Sequence, residues 1–362
     1  MLVGVSTLCD RVLTTLEVSA LDERKRKILQ AIIDDYISTA EPIGSRTIAR
    51  KYHLGVSPAT IRNEMSDLEM LGFLEQPHTS AGRIPSVKGY RFYVDCLLAP
   101  PQISNQDIQL IDRWYEAKAR RIDEVFQETA KILSRMTRNV SLVLAPQKTQ
   151  SFFKYMQFLP LDESRAIVII VTDNGLIDNK VIELPEGIAI DELRAIAERI
   201  NNRLSGMALD QIRSSLLKDV QQDIQADAAI YLSALEAIKM AAAEKKERIY
   251  MGGTTQLLEQ PEFRDLDKVK GLLTMLEEEK LVSDLLQRGE DGGEQPLVTI
   301  GQENKFTGIQ DCSIIQATYR MEGQVVGTVA VLGPMRMEYG KIIGVLNFMQ
   351  KHLGEVLKKY KG

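Results

Sequence analysis

The first regular pattern along the chain is an apolar stripe of helical period that begins just after Asp22. Asp22 can cap this helix, and Pro42 ends it. A second, shorter helix is predicted from Arg46 to Tyr52, with Ser45 as its cap. Gly55 then supplies a tight turn before the next helix. The stripe of the first helix consists of Ile28, Leu29, Ile32, Ile33, Tyr36 and Ile37.

The third helix has the clearest start signal in the chain. Ser57 stands at the cap position and Pro58 at the first helical position. Gly72 occupies the place of a helix-ending glycine. A short helix, a glycine turn and an amphipathic helix together indicate a helix-turn-helix. The apolar face of the third helix is formed by Ile61, Met65, Leu68 and Leu71.

A hairpin follows the third helix. Between Phe73 and Pro85, two short extended pieces flank a small polar turn, which is typical of a wing. The segment from Gly89 to Leu98 is predicted to form a further helix that leads away from the hairpin. Its aromatic residues are interpreted as core or interdomain packing and not as platforms for stacked bases; they are Tyr90, Phe92 and Tyr93.

The rest of the chain mixes strand and helix periods, which predicts an α+β, multidomain protein. The linker candidate is 100–105, and Asp173-Asn174-Gly175 is a hairpin signal. Amphipathic helices are predicted at Asp191–Leu204 and Gly340–Tyr360, and a mainly helical stretch at 211–287. The predicted strands are Val140–Ala145, Phe152–Pro160, Ala166–Thr172, Leu176–Leu184, Leu297–Ile300, Cys312–Arg320 and Val325–Leu332.

The distribution of charged residues along the chain indicates which kind of partner the protein binds. The whole chain carries a net charge of −5, yet the stretch from Gly44 to Tyr93 holds seven basic and four acidic residues. A basic island in an acidic chain suits one surface that faces DNA. Near the start of the third helix, Arg62 and Asn63 lie off the apolar stripe, where helix-turn-helix proteins contact base edges.

Three widely spaced cysteines and three scattered histidines argue against a disulfide framework and against a metal centre. The sequence contains no run of about 18 apolar residues, so we predict no membrane span. Residues 1–20 are interpreted as a leader of uncertain order and not as a signal peptide. We therefore expect a cytoplasmic protein.

At this point a resemblance becomes specific. The run PHTSAGRIPSVKGYRFYVD, from Pro77 to Asp95, closely resembles a hallmark of the HrcA family of heat-inducible transcription repressors. The stretch SPATIRNEMSDLEMLGFLEQPHTSAGRIP resembles the recognition helix and wing of that family. Further similar motifs are Val331–Tyr339, Ile249–Thr254 and Gln260–Phe263. The resemblance thus covers nearly the whole chain except the leader.

The resemblance implies a fold of three parts. These are an N-terminal winged helix-turn-helix at 21–98, a GAF-like α+β domain, and a mainly helical inserted dimerising domain. On this interpretation the GAF-like domain comprises 105–205 and 294–362, and the insertion comprises 206–293.

The resemblance also implies a function. The expected operator is the CIRCE inverted repeat upstream of chaperone operons, bound by a homodimer because two-fold protein symmetry matches two-fold DNA symmetry. It implies repression of heat-shock genes and a GroEL chaperonin that maintains the active repressor. No cofactor is expected, a membrane partner is not expected, and a small-molecule ligand is disfavoured.

Nine residues are the predicted DNA contacts. For Ser57 the capping role is favoured over base reading, and for His78 a turn-fixing role and DNA contact stand equal. For Arg83 the alternative is a surface arginine that stabilises the hairpin, and for Arg62 and Asn63 it is solvated helix surface. The nine are Ser45, Arg46, Ser57, Thr60, Arg62, Asn63, His78, Thr79 and Arg83.

Two other classes of function are weighed. A ligand-sensing regulator would use a pocket in the GAF-like domain, and an enzyme that regulates its own gene would need a catalytic constellation. No GxSxG or HExxH motif is present. Gly252-Gly253-Thr254 lacks the lysine and the spacing of a P-loop, so we interpret it as a helix-end turn. Arg336 is interpreted as a structural ion-pair partner and not as an anion receptor.

Overall fold

The chain divides into two compact units in the computed structural model. Unit 1 spans Met1–Pro146 and Glu247–Gly362, and unit 2 spans Gln147–Lys246. The structure describes residues 21–78, 81–99, 103–118, 122–146, 152–172, 177–184, 190–209, 212, 248–287, 295–321 and 323–359. The predicted leader, Thr79, the 173–175 turn and most of the stretch between 206 and 247 lie outside these residues.

Unit 1 begins with three helices and a hairpin, which confirms the predicted winged helix. The helices are α1 (Glu23–Thr39), α2 (Ser45–Tyr52) and α3 (Pro58–Met70), and the hairpin is β1 (Leu74–Glu75) with β2 (Ile84–Pro85). Asp22 caps α1 by accepting a 2.8 Å hydrogen bond from the backbone N–H of Lys25. The capping prediction for α2 is wrong. The helix already includes Ser45, Gly44 stands at the cap, and no side chain closes the end.

The end of α3 is fixed by backbone hydrogen bonds around Gly72. The N–H of Phe73 donates to the Leu68 carbonyl and the N–H of Gly72 donates to the Glu69 carbonyl, both at 2.9 Å. This is the Schellman arrangement, and it requires a left-handed residue, which Gly72 provides at φ +81°. The next helical stretch continues as α4 (Val87–Phe92) and a π-helical turn (Tyr93–Leu97).

The remainder of unit 1 is built on one antiparallel sheet of five strands. Their order across the sheet is β7-β3-β10-β9-β8. The strands are β3 (Val140–Leu144), β7 (Ile249–Gly252), β8 (Leu297–Ile300), β9 (Cys312–Met321) and β10 (Gln324–Pro334).

Helices cover both faces of this sheet, which explains why β9 and β10 are almost continuously buried. The helices of unit 1 are α5 (Asn105–Lys118), α6 (Ile122–Thr137), α8 (Leu266–Glu277), α9 (Glu279–Gln287) and α10 (Tyr339–Lys359). Odd-numbered positions such as Val143 and Val331 pack with α6 and α10. Even-numbered positions such as Leu142 and Leu332 pack with α8 and α9.

Unit 2 has its own sheet and its own core. The strands β4 (Phe153–Pro160), β5 (Arg165–Thr172) and β6 (Ile177–Glu183) pair antiparallel in chain order. Helix α7 (Ile190–Leu204) packs on one face of this sheet through Leu193, Ile196 and Ile200.

The predicted domain boundaries therefore need correction. Strands β4 to β6 were expected to share a domain with the C-terminal strands, but they pair only with one another among the described residues. Conversely β7, α8 and α9 were expected in the insertion and belong to unit 1. The reason is physical: β3 and β4 are neighbours in the chain, but the partners of β3 are β10 and β7, which are far away in sequence. Hydrophobic period does not reveal such pairings.

Candidate DNA-binding surface

Helix α3 presents one buried face and one exposed N-terminal end. Ile61 and Leu68 are fully buried and Met65 nearly so, while Arg62 and Asn63 are exposed. Pro58 stands in the first turn, and the Ser57 hydroxyl accepts a 3.1 Å hydrogen bond from the backbone N–H of Thr60. The predicted capping role of Ser57 is thus confirmed. The positive end of the helix favours an anion near the same exposed side chains.

The Thr60 side chain takes part in this cap. Its hydroxyl lies 3.0 Å from the Ser57 hydroxyl, and the residue is half-buried. Ser45, at the start of α2, is also half-buried, whereas Arg46 is exposed. Among the predicted DNA contacts that the structure describes, Ser45, Thr60 and Arg83 are therefore half-buried. The exposed ones are Arg46, Ser57, Arg62, Asn63 and His78.

The acidic residues of α3 are held by cations of the same domain. Glu64 is 8% exposed, and its carboxylate lies 2.8 Å from the Lys25 ammonium and 3.4 Å from the Arg24 guanidinium. The bond to Glu64 raises the pKa of Lys25. Lys25 also lies 3.2 Å from the Asp67 carboxylate. Two negative charges of α3 are thus neutralised on the side that faces α1.

Arg83 has a partner as well. Its guanidinium lies 2.7 Å from the Glu69 carboxylate, and its backbone exchanges hydrogen bonds of 2.9 and 3.0 Å with Ile43. These contacts join the base of the wing to α3 and to the segment before α2. They support the hairpin-stabilising role of Arg83, and its role as a DNA contact stays a prediction.

The wing tip is exposed at His78. The carbonyl of His78 accepts a 2.8 Å hydrogen bond from the backbone N–H of Ala81, and the Gln76 side chain donates to the Ala81 carbonyl at 3.2 Å. The backbone of His78 therefore helps to close the turn while its side chain faces solvent. Both roles weighed from the sequence fit this position.

The basic island has three arginines without a partner among the described residues. Lys51 pairs with Asp35, Arg83 with Glu69, and Arg91 with acidic groups described below. Lys88 lies over the Phe73 ring and donates to the Leu71 carbonyl. The remaining cations of the island are all exposed, and they are Arg46, Arg50 and Arg62. Arg46 and Arg50 share one face of α2, since they are four positions apart.

Sequence reasoning missed Lys25. The signal was Glu64, which occupies the apolar stripe together with Ile61, Met65 and Leu68. A carboxylate at a buried position needs a cation beside it. The presence of Glu64 in the apolar stripe therefore predicts a cationic partner on another helix. Nothing in the spacing of the sequence identified Lys25 as that partner.

The motifs that resembled enzyme chemistry have structural roles. Gly253 adopts φ +78°, and a side chain there would meet the Ser134 hydroxyl at 1.8 Å. A side chain at Gly252 would meet the Ala130 carbonyl at 2.6 Å. These glycines form a packed turn, as predicted, but the turn leads from β7 into a short 3-10 helix (Thr254–Glu259) and does not follow a helix. Arg336 forms an ion pair with Glu262, which confirms its structural interpretation.

Comparison with known families decides the class of protein. A family model described as "Winged helix-turn-helix transcription repressor, HrcA DNA-binding" matches residues 20–94, and a second, "HrcA protein C terminal domain", matches residues 123–343. The chain belongs to the HrcA family of heat-inducible transcription repressors. Its N-terminal domain is the DNA-binding winged helix of that family, which is a class of repressors and not of enzymes.

Two relatives are similar to this chain over almost its full length. The heat-inducible transcription repressor HrcA of Pelotomaculum thermopropionicum is 48% identical over 341 residues, which are 94% of this chain and 97% of the relative. That of Desulfitobacterium hafniense is 43% identical, covering 93% and 98%. A solved structure described as a hypothetical protein at 2.2 Å resolution superposes with a TM-score of 0.60 at 23% identity, covering 94% and 99%, which shows a shared fold.

Across the described residues, no helix is both long and apolar enough to cross a membrane.

Proposed function

We propose that this HrcA-family chain represses chaperone operons by binding the CIRCE inverted repeat as a homodimer, in the cytoplasm. The observation that carries the proposal is the exposed end of α3, where Arg62 and Asn63 stand free of partners among the described residues. Arginine suits guanine and asparagine suits adenine in the major groove. The carboxylates of Glu64, Asp67 and Glu69 are already paired with Lys25 and Arg83, so they repel DNA phosphates less.

A dimer is supported by the sheet of unit 2. Strand β5 is apolar on both faces, which is typical of a strand covered on both sides. Helix α7 covers one face, while the opposite face leaves Tyr155 43%, Leu159 46% and Val181 53% exposed. We propose that a second copy packs against this face, which gives unit 2 the role of the inserted dimerising domain. The five-stranded domain of unit 1 is then the GAF-like domain that it interrupts.

The role of the GroEL chaperonin in maintaining the active repressor rests on the resemblance to the family. Heat-unfolded proteins would occupy the chaperonin and release repression.

A gel-shift titration tests the proposed function. Purified full-length protein is titrated onto the inverted repeat and onto a control with one half-site scrambled, with and without chaperonin. Selective binding to the intact repeat, strengthened by chaperonin, is the expected result. Equal binding to both DNAs, or no binding even with chaperonin, would contradict the proposal and favour a ligand-sensing regulator.

A further inference from the structure

A buried arginine fastens the N-terminal domain to the five-stranded domain. Arg91 of α4 is 7% exposed, and its Nε donates to Glu303 Oε1 at 2.9 Å. Its Nη2 donates to the Val298 carbonyl at 2.7 Å and also to Glu303 Oε2. Its Nη1 donates to Asp95 at 3.2 Å. One guanidinium thus binds groups from both domains, among them partners more than 200 positions away in the chain.

The partners of Arg91 are themselves fixed. Glu303 Oε2 accepts a 2.8 Å hydrogen bond from the backbone N–H of Ile300, at the end of β8. Burial raises the pKa of the Asp95 carboxyl, and the Arg91 guanidinium acts in the opposite direction. A carboxylate in such a place is costly without its cation. The Asp95 pair lies within one helical segment, whereas the Arg91–Glu303 pair joins the two domains and holds only while they keep their present arrangement.

A second arginine belongs to the five-stranded domain and contacts the N-terminal domain. Arg336 follows β10 in the five-stranded domain, and its Nη1 donates to the Ile37 carbonyl of α1 at 3.2 Å. The same guanidinium binds Glu262 and, at 2.8 Å, the Gln260 side chain. The last turn of α1 has no basic residue of its own. Arg336 supplies the positive charge that favours a helix C-terminus.

Apolar packing also joins the two domains. The rings of Tyr90 and Tyr339 lie 6.0 Å apart, and both side chains are buried. A side chain at Gly301 would meet Val87 at 2.9 Å and Met335 at 3.0 Å, so the domains approach closely. One continuous core runs through both domains. The N-terminal domain is therefore held in a defined orientation and not by a loose tether.

We propose that Arg91 and Arg336 are positioning residues, which set the angle at which α3 meets DNA. In a homodimer this angle fixes the distance between the two recognition helices, and hence the spacing of half-sites that the protein accepts. The proposal rests on the proposed function, because it needs a dimer and an inverted repeat. Neither arginine faces DNA in this scheme, since the guanidinium of each is occupied by its partners.

Spacing variants of the operator test this role. Full-length protein is titrated onto one half-site, onto the intact repeat, and onto repeats whose spacer is shortened or lengthened, up to about half a helical turn. For the wild type we expect the intact repeat to bind about 100-fold more tightly than the half-site, and only at one spacing. For Arg91→Gln we expect half-site affinity within about twofold of wild type and a spacing preference reduced about tenfold.

Controls separate positioning from folding. Arg194→Gln removes a surface arginine of α7, which pairs with Asp191 on the helix side of unit 2, away from the proposed dimer face, and should keep the wild-type spacing profile. Arg336→Gln should reduce the preference for one spacer length in the same way as Arg91→Gln. If Arg91→Gln does not fold, the result for Arg336→Gln tests the positioning role alone. Arg91→Lys keeps the charge but not the forked set of donors, and should give an intermediate profile. Sedimentation of each variant verifies that it remains a dimer.

The outcomes are distinct. A folded, dimeric Arg91→Gln or Arg336→Gln protein that keeps the full wild-type spacing preference overturns the proposal. A wild-type protein that binds the half-site and every repeat equally contradicts the proposed function itself.

Discussion

The two sides of the N-terminal domain use arginine in opposite ways. At the exposed end of α3 and along α2, Arg46, Arg50 and Arg62 have no partner among the described residues. On the side that meets the five-stranded domain, Arg91 and Arg336 are enclosed by carboxylates and carbonyls. The difference teaches that a count of basic residues does not locate a DNA-binding surface. Pairing decides which cations are available to phosphates, and burial decides which ones hold the domain in place.

The largest effect is expected on the buried side. Arg91→Ala leaves Glu303 and Asp95 without their cation, and breaking a buried ion pair in this way costs about 3–5 kcal/mol of unfolding free energy. Thermal or denaturant unfolding of the full chain measures it. Arg194→Ala, the matched surface variant, should unfold like the wild type. Equal stability of Arg91→Ala and wild type would show that the buried pair does not join the domains.

On the exposed side the effect should appear in binding and not in stability. Arg62→Ala or Asn63→Ala should lower affinity for the intact repeat by about 1–3 kcal/mol if each reads a base. Unfolding should remain unchanged, because neither side chain has an internal partner among the described residues. If both variants discriminate the intact repeat from scrambled DNA as well as wild type does, the assignment of α3 as the recognition helix is wrong.

A smaller loss of unfolding free energy than for Arg91→Ala is expected at Lys25. Lys25→Met leaves the Glu64 side chain, which is 11% exposed, with only the longer contact to Arg24, at a cost of about 1–3 kcal/mol. The double variant Lys25→Met/Glu64→Met should recover part of this stability, because the charges then left without a partner, on Asp67 and Arg24, are exposed and not buried. Strict additivity of the two single changes would show that the ion pair is not a coupled unit.

The smallest effect is expected at the helix caps. Ser57→Ala removes the hydrogen bond to the Thr60 N–H and should cost about 1 kcal/mol. Ser45→Ala is the matched control, since the Ser45 side chain makes no capping bond. Comparable destabilisation by both changes in chemical denaturation would contradict this interpretation of the two helix starts.

Local rules predicted much of the fold. The cap at Ser57, the helix end at Gly72 and the bounds of most strands follow from hydrophobic period and turn chemistry, which act over a few residues. The domain boundaries did not follow, because β3 pairs with β10 and β7 rather than with its neighbour in sequence. Of the exposed arginines of α2 and α3, Arg46 and Arg62 were among the predicted contacts, whereas Arg50 was not. The partners of Arg91, Arg336 and Glu64 did not, since each comes from a distant element and depends on tertiary packing.

The salt dependence of DNA binding tests the central claim most directly. Affinity of the full-length protein for the inverted repeat is measured over a series of KCl concentrations, for wild type and for Arg46→Ala/Arg50→Ala, because Arg62 is assigned to a base and not to a phosphate. Removing one arginine–phosphate interaction should reduce the slope of log affinity against log salt by about 0.9, so the double variant should be shallower by about 2 units for each bound protomer. An unchanged slope in a folded double variant would contradict the claim that these exposed arginines form the DNA-binding surface.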